Sequence, residues 1–450
     1  MSEKRSSFTG KLGFVLAAAG SAVGLGNIWR FPYLAGQYGG GIFLLVYLLL
    51  ALTLGFALMC AEIAIGRKTG KSAIHAFGEL DKRFSFIGWL GSIVPMLILP
   101  YYCVIGGWVA KYLYVFVSGQ GAASAGENYF SNFTELPFQP IGWFLLFLGL
   151  TAVVVLLGVE KGIEKISKVM MPVLFALVLF LAVYVMLMPG AMEGVKFYLL
   201  PDFSKFSADT VLAAMGQLFY SMSIAMGIMI TYGSYMKKDV SIESSVHQIE
   251  ICDTSVAFLS GLMVIPAIFS TYAGDSALIT ETLEKSGPGL MFAALPKVFL
   301  SMPGGAIIGV VFFLLVLFAA LTSSISLMET VVSIVKDKLG WSRRNVCIIV
   351  IVGTLLLGLP SAMGYGLLSG VQLLGKSFLD FFDYISNNLL MPVVALLTSL
   401  FVGWIIKPRT LADEIKIGGK FHLEWLFVGI IKYVAPICIV LILLTGLGVI

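Results

Sequence analysis

Eleven apolar runs, each long enough to cross a bilayer, occupy most of this 450-residue chain and leave little between them. They centre on residues 11–36, 41–66, 88–118, 140–158, 168–189, 208–235, 246–272, 304–335, 345–363, 378–406 and 424–449. A membrane-crossing helix takes about 17 to 25 residues. Lipid offers no partner to a bare peptide group, so such runs fold as helices that satisfy their own backbone. A hydrophobic fraction of 59%, a charged fraction of 12% and a mean hydropathy of +0.97 exclude a soluble globular domain. The expected fold class is an all-α polytopic membrane protein. No cleavable signal peptide is expected, because the first run contains Asn27 and Arg30 and leads straight into the next.

Two of the runs are interrupted. Gly20-Ser-Ala-Val-Gly-Leu-Gly-Asn27 and Ser221-Met-Ser-Ile-Ala-Met-Gly227 put glycine and serine at membrane depth, in corresponding halves of the chain. A break there is tolerated only against protein or a cavity. Paired breaks point to a transporter built from inverted repeats, with its site at the repeat interface. Small residues three or four apart also let helices pack closely, which is the competing reading of either break alone.

Basic residues set the expected orientation. With the amino terminus cytoplasmic, the inner side receives Lys4, Arg5, Lys11, Arg67, Lys68, Lys71, Lys82 and Arg83 in the first third of the chain. Later segments add Lys161, Lys165, Lys168, Lys237, Lys238, Lys336, Lys338, Arg343, Arg344, Lys407, Arg409, Lys416 and Lys420. The outer side keeps far fewer, so the positive-inside rule is decisive. An odd span count then puts the carboxyl terminus outside. The net charge of +4 follows from this asymmetry and gives no reason to expect nucleic acid. The five cysteines fall in apolar stretches without metal-type spacing. The outer stretch around residues 275–302 is too long for a simple turn and is expected to form short lid helices.

The residues around the breaks resemble a known family. Ala22-Val-Gly-Leu-Gly-Asn27-Ile-Trp-Arg30-Phe-Pro32 is similar to the first-helix signature of the neurotransmitter:sodium symporter family, bacterial amino acid:sodium branch. Gln217-Leu-Phe-Tyr-Ser221 with Ile230-Thr-Tyr-Gly-Ser-Tyr235 resembles its sixth helix, and Ala319-Ala-Leu-Thr322-Ser323-Ser324 its eighth. Gly162 followed by Pro172 matches the fifth-helix pattern associated with unwinding of the inner end.

The resemblance implies a single transporter domain over residues 1–450, with a cytoplasmic segment 1–10, five-helix repeats at 11–189 and 208–406, and a peripheral helix at 424–449. It implies a multi-pass protein of the bacterial inner membrane, working as a monomer or weak homodimer because the twelfth helix of many relatives is missing. It also implies two sodium ions. One would be held by the Ala22 carbonyl, Asn27, Ser221, Asp253 and the substrate carboxylate, the other by the carbonyls of Gly20, Val23 and Ala319 with the hydroxyls of Thr322 and Ser323. A substrate that completes an ion's cage is reciprocally coupled to that ion. Many relatives carry asparagine at the place of Asp253. Chloride-dependent relatives also have a serine at Ala257, next to Tyr47, Gln217 and Ser221, so Asp253 is expected to replace the chloride charge.

The expected cargo is an amino acid. Aromatic monoamine transporters place an aspartate at the position of Gly24, whereas glycine leaves room there for a substrate carboxylate at freed amides, near a favourable helix terminus. By resemblance the substrate site comprises Ala22, Gly24, Gly26, Ile98, Tyr102, Tyr220, Ser221, Ser223, Ala225, Met226, Ser324 and Leu327. That lining suits a neutral, hydrophobic or aromatic side chain. Arg30 and Asp383 match the outer gate, and Arg5, Phe8, Tyr235 and Asp337 the inner one. Glu62 is expected to bind backbone near the sixth-helix break, Glu329 to act structurally, and Lys432 to snorkel toward the inner interface. An intramembrane hydrolase is disfavoured because His75, His247 and His422 all lie near span ends. A sodium channel would show unitary currents, and an amino acid sensor would bind without flux.

Overall fold

A computed structural model describes residues 7–126, 128–284 and 288–449. Among them every regular element is a helix, and there are no strands. Among the described residues nine helices are long and apolar enough to cross a membrane, and one bent pair passes the same test together. The bent pair is α1 (Lys11–Ala22) and α2 (Gly26–Gln37), which meet at 53°. Continuous helices α3 (Gly41–Thr69), α4 (Lys82–Val117), α5 (Gln139–Leu156) and α6 (Val159–Met186) complete the first half. The run at 208–235 is two shorter pieces, α7 (Ala208–Ser221) and α8 (Ile228–Gly233). Then follow α9 (Ile242–Thr271), α10 (Gly305–Leu339), α11 (Arg343–Met363), α12 (Phe378–Ile405) and α13 (Glu424–Gly446).

Both interruptions have a local cause. After Ala22 the backbone turns extended at Val23, with ψ 98°, so helical hydrogen bonding cannot continue. In the second break Ser223, Ala225 and Gly227 take φ of 54°, 64° and 71°. Three left-handed residues within five cannot belong to a right-handed helix, and two of them carry a Cβ.

Packing places these breaks at the centre. α1 lies against α6, α9 and α10, while α8 packs on the second half of α3. Gly66 of α3 and Gly233 of α8 let those two helices touch backbone to backbone; a Cβ on either would run into the opposing main chain. The stretch around 275–302 forms the helices Ser276–Glu284 and Gly289–Leu300 at the end of the bundle that the basic residues predict to be outer. Phe292 of the second stacks on Phe130 at 5.1 Å and meets Trp108 edge-on at 6.0 Å, which fixes this cover to α4.

On the opposite side a short amphipathic helix, Pro408–Lys416, is clamped by Arg67. The buried Arg67 donates from Nε to Glu414 at 2.9 Å, and from its terminal nitrogens to the carbonyls of Val240, at 2.6 Å, and Glu414. Lys238 adds a contact to the same carboxylate at 2.6 Å.

Candidate functional site at the helix breaks

Asn27, on the first turn after the break in α1–α2, is the hub. Its side-chain oxygen accepts from the Gly24 N–H at 3.0 Å, which ties the unwound turn to the start of α2. Its amide nitrogen donates to Ser221 Oγ at 2.9 Å and to Asp253 Oδ1 at 2.7 Å. Ser221 in turn donates to Asp253 at 3.0 Å, and the Tyr47 hydroxyl reaches the second carboxylate oxygen at 3.2 Å. Four helices, α2, α3, α7 and α9, thereby converge on one carboxylate.

Asp253 is wholly buried, and among the described residues no Lys or Arg lies within ion-pair distance of it. A charge so placed costs several kcal/mol unless a cation or full hydrogen bonding compensates it. The surroundings are all oxygen and amide, the donor set that suits a hard monovalent cation.

A second oxygen-rich point lies where α10 crosses the end of α1. The Ser323 hydroxyl faces three main-chain carbonyls, those of Gly20, Ser21 and Val23, at 3.4, 3.1 and 3.3 Å. One hydroxyl proton cannot serve three acceptors well, whereas a cation in the same place would serve all of them and the hydroxyl oxygen besides. Thr322, one position before Ser323 on α10, donates to the carbonyls of Phe318 and Ala319 at 3.0 and 3.1 Å. Gly20 lets the helices meet, since a Cβ on it would lie 3.2 Å from Thr322 Cβ.

Between these two points is a small cavity of about 20 Å³, lined in part by Gly24, Ile98, Tyr102, Tyr220, Met226 and Leu327. Ala22, Gly26, Ser221 and Ser223 also face it. That is space for little more than one water. Ser21, Leu25 and Ile228 line it too; they are found only in three dimensions, although Ser21 lies inside the first break. Two expected lining residues point elsewhere. Ser324 hydrogen-bonds Thr151 of α5 at 2.8 Å, because it sits one position round α10 from Ser323. Ala225 presents its N–H to Glu62 Oε1 at 2.7 Å, so its left-handed backbone is held by α3 rather than opened to the cavity. Glu62 does reach the second break.

Gly24 has no room for a side chain: a Cβ would lie 2.6 Å from Ser323 Oγ and 3.1 Å from the Tyr102 hydroxyl. Gly26 is covered by the Tyr220 ring, with a Cβ only 2.6 Å from it.

Tyr220 also lines a larger outer cavity of about 240 Å³ between α2, α7, α12 and α13, so its ring separates the two spaces. The Arg30 guanidinium lies over that ring, 5.2 Å from its centroid. Arg30 and Asp383 form no direct ion pair; the Asp383 carboxylate instead accepts from Asn387 at 2.7 Å, one turn along α12.

The end predicted to be inner is shut. Phe8 is buried edge-on against Tyr232 and Tyr235, and its N–H donates to the Tyr235 carbonyl at 3.1 Å. The Tyr235 hydroxyl donates to Glu329 at 2.9 Å, and Glu329 is paired with Arg343. Asp337 accepts from the backbone and hydroxyl of Ser72 at 2.8 and 2.7 Å. Arg5 lies outside the described residues. One tie was not foreseen. Thr9 donates through its N–H, at 2.9 Å, and its hydroxyl to Glu164, which also holds Lys168 at 2.7 Å.

Two broken helices that meet at a small, largely apolar cavity between two oxygen-rich points, with the Tyr220 ring closing one side, are the architecture of a membrane transporter. The chain belongs to the sodium:neurotransmitter symporter family, whose model matches residues 5–132 and 139–449. It is therefore a transporter rather than an enzyme. The sodium-dependent transporter YhdH of Bacillus subtilis (strain 168) is 37% identical over 100% of this chain and 99% of that protein. The rat sodium- and chloride-dependent taurine transporter is 27% identical, over 92% of this chain and 73% of its own length. Among solved structures, MhsT in complex with L-phenylalanine superposes with a TM-score of 0.87 at 37% identity, covering 98% of this chain and 100% of that one.

Proposed function

We propose that this chain is a sodium-coupled symporter that imports neutral, hydrophobic or aromatic L-amino acids by alternating access. The observation that carries the reading is Asp253: a buried carboxylate without a basic partner, ringed by Asn27, Ser221 and Tyr47 at the point where the breaks cross. One sodium ion would rest among the Ala22 carbonyl, Asn27, Ser221, Asp253 and the substrate carboxylate. Binding it requires the Asn27 amide to exchange its present contacts so that its oxygen faces the ion. The second would rest among Gly20, Val23, Ala319, Thr322 and Ser323. The bound phenylalanine of MhsT and the apolar lining at Ile98, Met226, Ile228 and Leu327 support an apolar amino acid as cargo.

Chloride independence follows from the same carboxylate. Asp253 takes up the Tyr47 and Ser221 hydroxyls, donors that chloride would otherwise use, and supplies the negative charge itself. The division into repeats 11–189 and 208–406, a peripheral helix 424–449, and a cytoplasmic amino terminus with an outer carboxyl terminus belong to the same proposal. Cysteine-accessibility labelling at both termini tests that orientation.

Uptake of radiolabelled amino acids by proteoliposomes tests the whole reading. A sodium gradient should drive accumulation, strongest for apolar and aromatic substrates, and Asn27→Ala should abolish it. Accumulation indifferent to sodium would refute coupled symport. Replacing chloride with gluconate should leave the rate unchanged, and loss of uptake would overturn the assigned role of Asp253.

A further inference from the structure

Lys432 is a cation inside a membrane-crossing helix. It lies eight residues after Glu424, about 12 Å along α13 at 1.5 Å per residue, and Glu424 pairs with Lys416 at 2.7 Å where the helix begins. Among the described residues no carboxylate lies within ion-pair distance of Lys432, so none of them neutralises it. Cations at such depth are costly and are retained with a partner.

The structure around it is specific. Lys432 sits in a π-helical turn, Ile430–Val434, packed against a second one, Phe401–Ile405, in α12. Such turns within α-helices mark places where a carbonyl is displaced from the regular ladder. Here the Trp404 indole donates to the Lys432 carbonyl at 3.1 Å. Gly403 permits the approach, since a Cβ there would lie 3.1 Å from Lys432 Cα. The ammonium is thereby held 4.8 Å from the Trp404 ring centroid and 5.3 Å from that of Tyr433. Both rings are 54% exposed on the outer face of the bundle, next to the exposed Ile405, Val434 and Ile437. An aromatic cradle at an apolar surface orients a cation without discharging it.

We propose that Lys432, Trp404 and Tyr433 form a binding site for one anionic phospholipid. The headgroup phosphate would pair with the ammonium, and the acyl chains would follow the apolar strip of α12 and α13. Charge complementarity selects the occupant: a cation with no carboxylate partner among the described residues, flanked by two half-exposed aromatics on an apolar surface, lies toward the end of the bundle that carries Lys407, Arg409 and Lys420. The pair of helices it would join, α12 and α13, also borders the outer cavity through Asn388, Met391, Ile442 and Thr445. A lipid at the opposite end therefore braces elements of the outer path.

Native mass spectrometry of the full chain, released from bilayers of equal parts phosphatidylglycerol and phosphatidylethanolamine, provides the test. The wild type should retain one phosphatidylglycerol in preference to phosphatidylethanolamine. Lys432→Met should lower that retention by about fivefold, the worth of one lysine at an anionic surface. Lys432→Arg should keep it, which separates loss of charge from misfolding. Arg409→Gln, which removes an exposed charge from the same side, should leave it unaltered. Unchanged retention in Lys432→Met, equal loss in Arg409→Gln, or no preference between the two lipids would each overturn the site.

Discussion

At the residue scale, function rests on a few positions whose side chains are fixed by neighbours far away in sequence. Ala225 is left-handed with a Cβ, a conformation that costs roughly 1–2 kcal/mol. Ala225→Gly should therefore raise the thermal midpoint of the detergent-solubilised protein, because the N–H bond to Glu62 is untouched. A lower midpoint would show that the methyl group packs to advantage. Gly24→Ala acts the other way. Its Cβ would press on Ser323 and Tyr102, an overpacking cost of about 1–3 kcal/mol, and uptake should fall at least tenfold while the protein still folds. The sequence singled out Gly24 and Asn27 through the family signature they resemble, and Asp253 also because a carboxylate at membrane depth is costly. It could not say that Ser324 faces α5, since Thr322, Ser323 and Ser324 are alike in type and only the rotation of α10 distinguishes them.

At the scale of elements, the ends of helices are held by buried polar ties. Arg67 and Glu414 join α3 to the helix Pro408–Lys416, and Arg67 is fully enclosed. Removing one partner leaves the other charge buried alone, so Glu414→Ala should destabilise by roughly 3–5 kcal/mol. Urea or thermal unfolding in detergent would register it, and a change under 1 kcal/mol would mean that water enters to rescue Arg67. The tie between Thr9 and Glu164 joins the inner gate to the start of α6, just after Gly158 at φ 89°. Glu164→Ala should speed amide hydrogen exchange in residues 8–20 while leaving α10 unaffected. Helix positions were readable from apolar run length. These ties were not, because Arg67 and Glu164 look in sequence like ordinary charges at span ends, and only packing reveals them as buried.

At the scale of the whole molecule, the closed cavity of about 20 Å³ cannot accommodate an amino acid, so the breaks must part for cargo to enter. The larger cavity lies on the Tyr220 side, while the network at Phe8 and Tyr235 seals the other end. Sodium at about 100 times its dissociation constant should stabilise the folded protein by about 2.7 kcal/mol. Asp253→Ala should lose most of that thermal shift, and an equal shift in potassium would argue for a non-specific salt effect. By itself the sequence determined the helical membrane class, the two breaks and the residue types gathered at them. Lipid forbids unsatisfied backbone, so polar interruptions in apolar runs stand out in one dimension. Only the tertiary structure decided which hydroxyl meets which carbonyl, that Arg30 covers Tyr220 instead of pairing with Asp383, and that Lys432 rests on two aromatic rings. Those relations depend on helix rotation and crossing, which follow from packing across hundreds of residues and leave no local mark in the chain.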